Sequence, residues 1–270
     1  MPSDNILIAF ILTLLAGLAT GFGSAIAFFA RTTNTKFLSV ALGFSGGVMI
    51  YVSLVEIFVK AKATLVSELG ITSGSWVTLI SFFAGIFLIA IIDKMVPEIE
   101  NPHELRKVED TFYPSAAFHK KKLLRLGIFS AFAIGIHNFP EGLATFTATI
   151  KDPGLGIAIA VAIAIHNIPE GIAVSVPIYF ATCNKKKAFW YSFLSGLAEP
   201  AGAIVAYLIL LPFYSEILFG VLFASVAGIM VYISIDELLP AAREYGHAHL
   251  ALYGVISGMI VMAVSLLLFV

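Results

Sequence analysis

A single cysteine, Cys183, occurs in 270 residues. That excludes an intramolecular disulfide and any metal site built from several thiolates, and leaves Cys183 as an ordinary small residue at a helix end. Charge is scarce as well: Asp, Glu, Lys and Arg make up 12% of the chain, against 59% hydrophobic residues. A soluble domain carries about twice that charge, so a water-soluble fold is excluded. The zinc-protease pattern His-Glu-x-x-His is absent, as is any glycine-rich phosphate loop. Nothing points to nucleic acid or to a prosthetic group. The most telling absence lies well inside the long apolar runs, where acids and histidines occur but no lysine or arginine.

Eight apolar runs reach the ~20 residues that cross a bilayer, at roughly 6–29, 38–59, 75–94, 126–149, 156–180, 189–212, 217–239 and 250–269. The expected fold is therefore an all-α integral membrane protein of eight transmembrane helices, one transporter-like domain over 1–270. The first run has no basic residue before it and is too long for a signal-peptide core, so it reads as a span. The stretch 95–125, with Pro97, Pro102, Pro114 and many charges, reads as a mobile cytoplasmic loop. If the amino terminus lies outside, only Lys60, Lys62 and Lys151 fall on the outer side, leaving 13 of the 16 Lys and Arg inside. Both termini are then extracytoplasmic, in a cell membrane that reads as the bacterial inner membrane.

The chain also repeats itself. Gly47-Val48-Met49-Ile50-Tyr51-Val52-Ser53 returns as Gly228-Ile229-Met230-Val231-Tyr232-Ile233-Ser234, and the same offset carries Glu56 onto Glu237. These segments lie in spans 2 and 7, which the topology sends in opposite directions. Opposed repeats are a transporter signature and predict a 3+2+3 arrangement, with spans 1–3 related to 6–8 around a central pair.

That central pair carries a second duplication. His137-Asn138-Phe139-Pro140-Glu141-Gly142 recurs as His166-Asn167-Ile168-Pro169-Glu170-Gly171. Residues four apart share a helix face, so each histidine points with its glutamate. Imidazole and carboxylate on one face suit a divalent cation. Pro140 and Pro169 each remove a backbone donor and predict kinks with a free carbonyl.

The ionisable residues well inside spans are Glu56, His137, Glu141, His166, Glu170, Glu199, Asp236 and Glu237. Six buried acids would cost roughly 18 kcal/mol by insertion scales if uncompensated. With no basic side chain at hand, relief must come from protons, water or a cation. Glu199 precedes another kinking residue, Pro200. Asp236 and Glu237 lie near the inner end of span 7, where an interfacial place and a site role are equally open. Met49 shares a face with Ser53 and Glu56. A transporter of divalent metal fits this pattern. An intramembrane metal-dependent hydrolase and a proton-coupled carrier of organic cations would use similar residues, and remain the alternatives.

The paired His-Asn-x-Pro-Glu-Gly motifs, together with Ser195-Gly196-Leu197-Ala198-Glu199-Pro200, resemble the ZIP (Zrt/Irt-like) metal transporters, in particular their ZupT-like bacterial branch. The resemblance spans essentially the whole chain. It implies import of zinc, iron, manganese, cobalt or cadmium through a binuclear site. One metal would meet Met49, His137, Glu141 and Glu170; the other would meet Asn138, Glu141, Asn167, Glu170 and Glu199. Asp236 and Glu237 would match an exit site. Some relatives have Asp in place of Asn167, which implies a less anionic second site here. Some have Ser in place of Glu56, so Glu56 and His166 are expected to form an additional site or a proton-linked pair. The partners implied are divalent metal ions, the lipid bilayer and a second copy of the chain in a homodimer.

Overall fold

The computed structural model describes residues 4–27, 35–95, 116–213, 215–244 and 248–268. All are helical or in short turns, and no strand occurs among them. The helices are α1 (Asp4–Ala27), α2 (Thr35–Tyr51), α3 (Phe58–Leu69), α4 (Ile71–Met95), α5 (Ala116–Lys151), α6 (Pro153–Thr182), α7 (Lys185–Gly196), α8 (Ala198–Val205), α9 (Glu216–Ile233), α10 (Leu239–Glu244) and α11 (Ala248–Leu268). Seven stretches of the described chain are long and apolar enough to cross a membrane. Large apolar side chains such as Phe22, Trp76, Phe87 and Leu267 are exposed on the outside of the bundle, while serines, threonines, histidines and glutamates are buried within it. That inversion of the soluble pattern suits a lipid surround.

Several boundaries move. The second span extends to Leu69, because α2 continues through a π-helical turn, Val52–Ile57, into α3. The expected loop 95–125 is helical from Ala116 onward, within α5; positions 96–115 of that loop lie outside the described residues. Two more π-helical turns follow, Ala206–Leu210 after α8 and Ser234–Leu238, the latter joining α9 to α10. This last turn falls where the repeat offset places the first, so Glu56 and Glu237 sit in equivalent backbone distortions. Such turns concentrate at functional sites.

Turn chemistry explains the connections. Gly70, with φ of 81°, ends α3 in a conformation that suits glycine. Asp152 caps α6 by accepting from the Gly154 and Leu155 amides, with Pro153 at the first helical position. Cys183 ends α6 in the left-handed region, and Asn184 caps α7. Both α5 and α6 remain helical through Pro140 and Pro169. The break comes elsewhere, at Leu197 between α7 and α8. Pro200 cannot donate to the carbonyl of Gly196, so the ladder fails just before it.

Contacts sort the helix ends. The amide of Asn5 donates to Ile150 O at 3.4 Å, Lys60 lies 3.8 Å from Asp152, and Lys151 lies 2.6 Å from Glu216. The start of α1, the first turn of α3, the α5–α6 turn and the start of α9 therefore share one end. At the other, Ser39 on α2 donates to Ala242 O on α10 at 2.7 Å.

Candidate metal centre

The two duplicated motifs lie in the middle of α5 and α6, which pack on each other. Close backbone approach fixes what surrounds them. A Cβ on Gly142 would collide with the carbonyl of Glu199, and one on Gly202 with that of Phe139. Glycine at both places lets α8 press on α5 and delivers Glu199 to the motif. Gly171 does the same toward Thr20 on α1.

The side chains interleave across the helices. His166 Nε2 is 3.2 Å from Glu141 Oε2, and His137 Nε2 is 3.3 Å from Glu170 Oε2. The contact within one helix, His166 to Glu170, is longer at 3.9 Å. Each histidine thus meets the other motif's glutamate more closely than its own. The Asn167 amide donates to Glu199 and, at 2.9 Å, to Ala16 O on α1. That of Asn138 donates to Ser195 O at 3.3 Å. All seven of these residues are 1% exposed or less.

The cluster is under-satisfied. His166 Nδ1, Asn138 Oδ1, Glu141 Oε1, Asn167 Oδ1 and Glu199 Oε2 are buried without hydrogen-bond partners. Glu170 and His137 lie within ion-pair distance yet lack hydrogen-bond geometry. Buried acceptors left this way are costly unless something arrives to use them. Among the described residues, no three His, Cys, Asp or Glu groups already converge as a closed ligand set; the contacts run as a chain, Glu141 to His166 to Glu170 to His137 to Glu237.

The remaining expected residues divide. Glu237 is 8% exposed and its Oε2 lies 3.5 Å from His137 Nδ1, so it belongs to the cluster rather than to an interface. Asp236, half-buried beside it, hydrogen-bonds with Tyr232. Met49 is fully buried in the main apolar core with Ile163 and Met230. Glu56 departs from expectation. It pairs with Lys60 at 3.0 Å, one turn along the same helical segment, and is partly exposed, while the partners of His166 are Glu141 and Glu170. No contact joins Glu56 to His166 among the described residues. A basic side chain was available to Glu56, because the helix continues past the expected span end at 59 to Leu69 and keeps Lys60 one turn along.

Sequence reasoning missed Ser195 O and Ala16 O, since a backbone acceptor leaves no mark in a sequence. It also missed Thr145, one turn beyond Glu141, whose buried hydroxyl has no partner. Its spacing from Glu141 was the available signal.

Comparison with known proteins gives a consistent picture. Residues 113–266 match the family described as ZIP Zinc transporter. A protein of Oceanobacillus iheyensis named zinc transporter ZupT is 66% identical over 265 residues, covering 98% of this chain and 99% of its own. Proteins of the same name from Lysinibacillus sphaericus and Clostridium perfringens are 64% and 60% identical, covering 98% and 99% of this chain and 99% and 98% of their own.

Proposed function

The chain belongs to the ZIP family, whose relatives named above are transporters rather than enzymes, and on that premise we propose that it imports zinc into the cytoplasm through the His137–Glu141–His166–Glu170 cluster. The observation that carries this reading is the cluster itself. Three buried glutamates, Glu141, Glu170 and Glu199, face two histidines and two asparagines across α5, α6 and α8, and several oxygens lack partners. A divalent cation meets all of those needs at once. The central pair divides between two ions, one with Met49, His137, Glu141 and Glu170, the other with Asn138, Asn167, Glu199 and the same two glutamates as bridges. Mixed nitrogen and oxygen donors also admit iron, manganese, cobalt and cadmium. Glu237, in contact with His137, takes the ion onward, with Asp236 next on the exit path.

The proposed setting is a single domain of eight spans in a 3+2+3 order, α5 being the fourth, with both termini outside a bacterial inner membrane. The matching π-helical turns and the sorted helix ends support it. So does charge, since Lys60, Lys62 and Lys151 belong to the outer end. The test is uptake into proteoliposomes across a panel of divalent metals. Zinc accumulation driven by an inward gradient is the expected result. Metal binding without flux would favour a hydrolase, and flux of organic cations without metal binding would favour the third reading.

A further inference from the structure

Cargo can reach the buried cluster only after some packed contact opens, and one set of contacts is placed to do so. Lys151, the last residue of α5, brings Nζ to 2.6 Å from Glu216 Oε2 at the start of α9 and to 3.3 Å from Thr64 Oγ1 on α3. The same ammonium lies 4.1 Å from the centre of the Phe219 ring. Its neighbour Asp152 stands 3.8 Å from Lys60 on α3, which also holds Glu56. Both residues of the α5–α6 turn are thus tied ionically to α3 or α9, and α5 and α6 are the helices that carry the two motifs.

Deeper in the bundle the same seam is different. Between α5 and the pair α4 and α9 runs a groove of about 960 Å³, lined by apolar residues including Ile89, Ile92, Ile136, Leu143 and Val226. A mostly apolar groove offers few directional bonds, so among the described residues the polar ties between α5 and α9 on the Lys151 side of it are those at the end. Thr145 lies between the two levels, one turn beyond Glu141 toward Lys151. Its hydroxyl is buried without a partner, a costly feature in a closed wall and a useful one along a route for a hydrated ion.

We propose, on the reading of the cluster as a transport centre, that the Lys151–Glu216 and Lys60–Asp152 pairs form a latch that closes this end of the cargo path and must release before an ion passes Thr145 to Glu141. The side chains of these pairs are 31% to 54% exposed. Ion pairs so close to water are weak and exchange readily, as a reversible closure requires.

The test uses the full chain with Cys183→Ser. Lys151→Cys and Glu216→Cys are joined by a reducible bis-methanethiosulfonate linker, and zinc uptake into proteoliposomes is followed. Uptake is expected to fall to background when the linker is closed and to return on reduction. Equal uptake with the linker closed and reduced would overturn the latch. A second measurement needs no flux. With a Thr145→Cys reporter, Lys151→Met is expected to speed modification by a membrane-impermeant thiol reagent several-fold, and an unchanged rate would also overturn it. Zinc uptake by the reduced protein reports on the transport reading by itself, so the two failures are distinguishable.

Discussion

Two regions of this bundle treat charge in opposite ways. At the centre, Glu141, Glu170 and Glu199 are buried with no lysine or arginine among their observed contacts. At the end, Glu56, Asp152 and Glu216 are partly exposed and each has a lysine within 4 Å. The end is satisfied within the chain and cheap to rearrange. At the centre, several carboxylate, amide and imidazole atoms have no hydrogen-bond partner among the described residues. An acid buried without a fixed counter-ion is a burden to the fold and a resource for cation binding, and the protein confines that burden to one level.

If the centre is what we describe, removing its charge should stop function without harming the fold. Glu141→Gln and Glu170→Gln are each expected to cut zinc uptake by more than about 100-fold, beyond the range usual for supporting partners of a metal ligand. Thermal unfolding in detergent should show the metal-free variant as stable as the parent or more so, because repulsion is relieved. Normal uptake by both variants would make the duplicated motif structural and erase the contrast.

Glu237 sharpens the boundary of the central region. As the carboxylate behind His137, it is expected to cost roughly 10-fold in zinc affinity when changed to Gln, by isothermal titration. Asp236→Asn should leave affinity near the parent value and slow flux alone. Equal affinities in all three proteins would return Glu237 to the helix end. Zinc binding should also weaken as pH falls, with protons released on binding, because imidazole and carboxylate bind metal only when deprotonated. Titrations in buffers of different ionisation enthalpy would count those protons.

Packing separates the regions from their surroundings. Gly202→Val places a side chain against Phe139 O and is expected to lower stability by about 1–3 kcal/mol, read as a drop in Tm, as overpacked cores do. The smallest effect belongs to the end. Lys60→Met should change stability by at most about 1 kcal/mol, since exposed ion pairs contribute little. A large loss there would mean the end bears structure as the centre bears function.

Much of this was determined by sequence alone. Apolar runs long enough to span a bilayer leave few alternatives to helices, because backbone groups in lipid must be satisfied within the segment. The duplicated His-Asn-x-Pro-Glu-Gly motifs marked the residues of the centre, since an ionisable group in such a run is too costly to be incidental. Spacing also marked Glu237, through its echo of Glu56. Tertiary structure alone decided how these residues meet. Helical periodicity joined His137 to Glu141, yet facing helices interleave, so His137 meets Glu170 and His166 meets Glu141. It separated Glu56 from Glu237 although the repeat makes them equivalent: one reaches a lysine at the water-facing end, the other a buried histidine. Local pattern says which side chains are expensive to bury. Which neighbour relieves the expense depends on where other helices pass, and on glycines whose lack of a side chain lets them pass so closely.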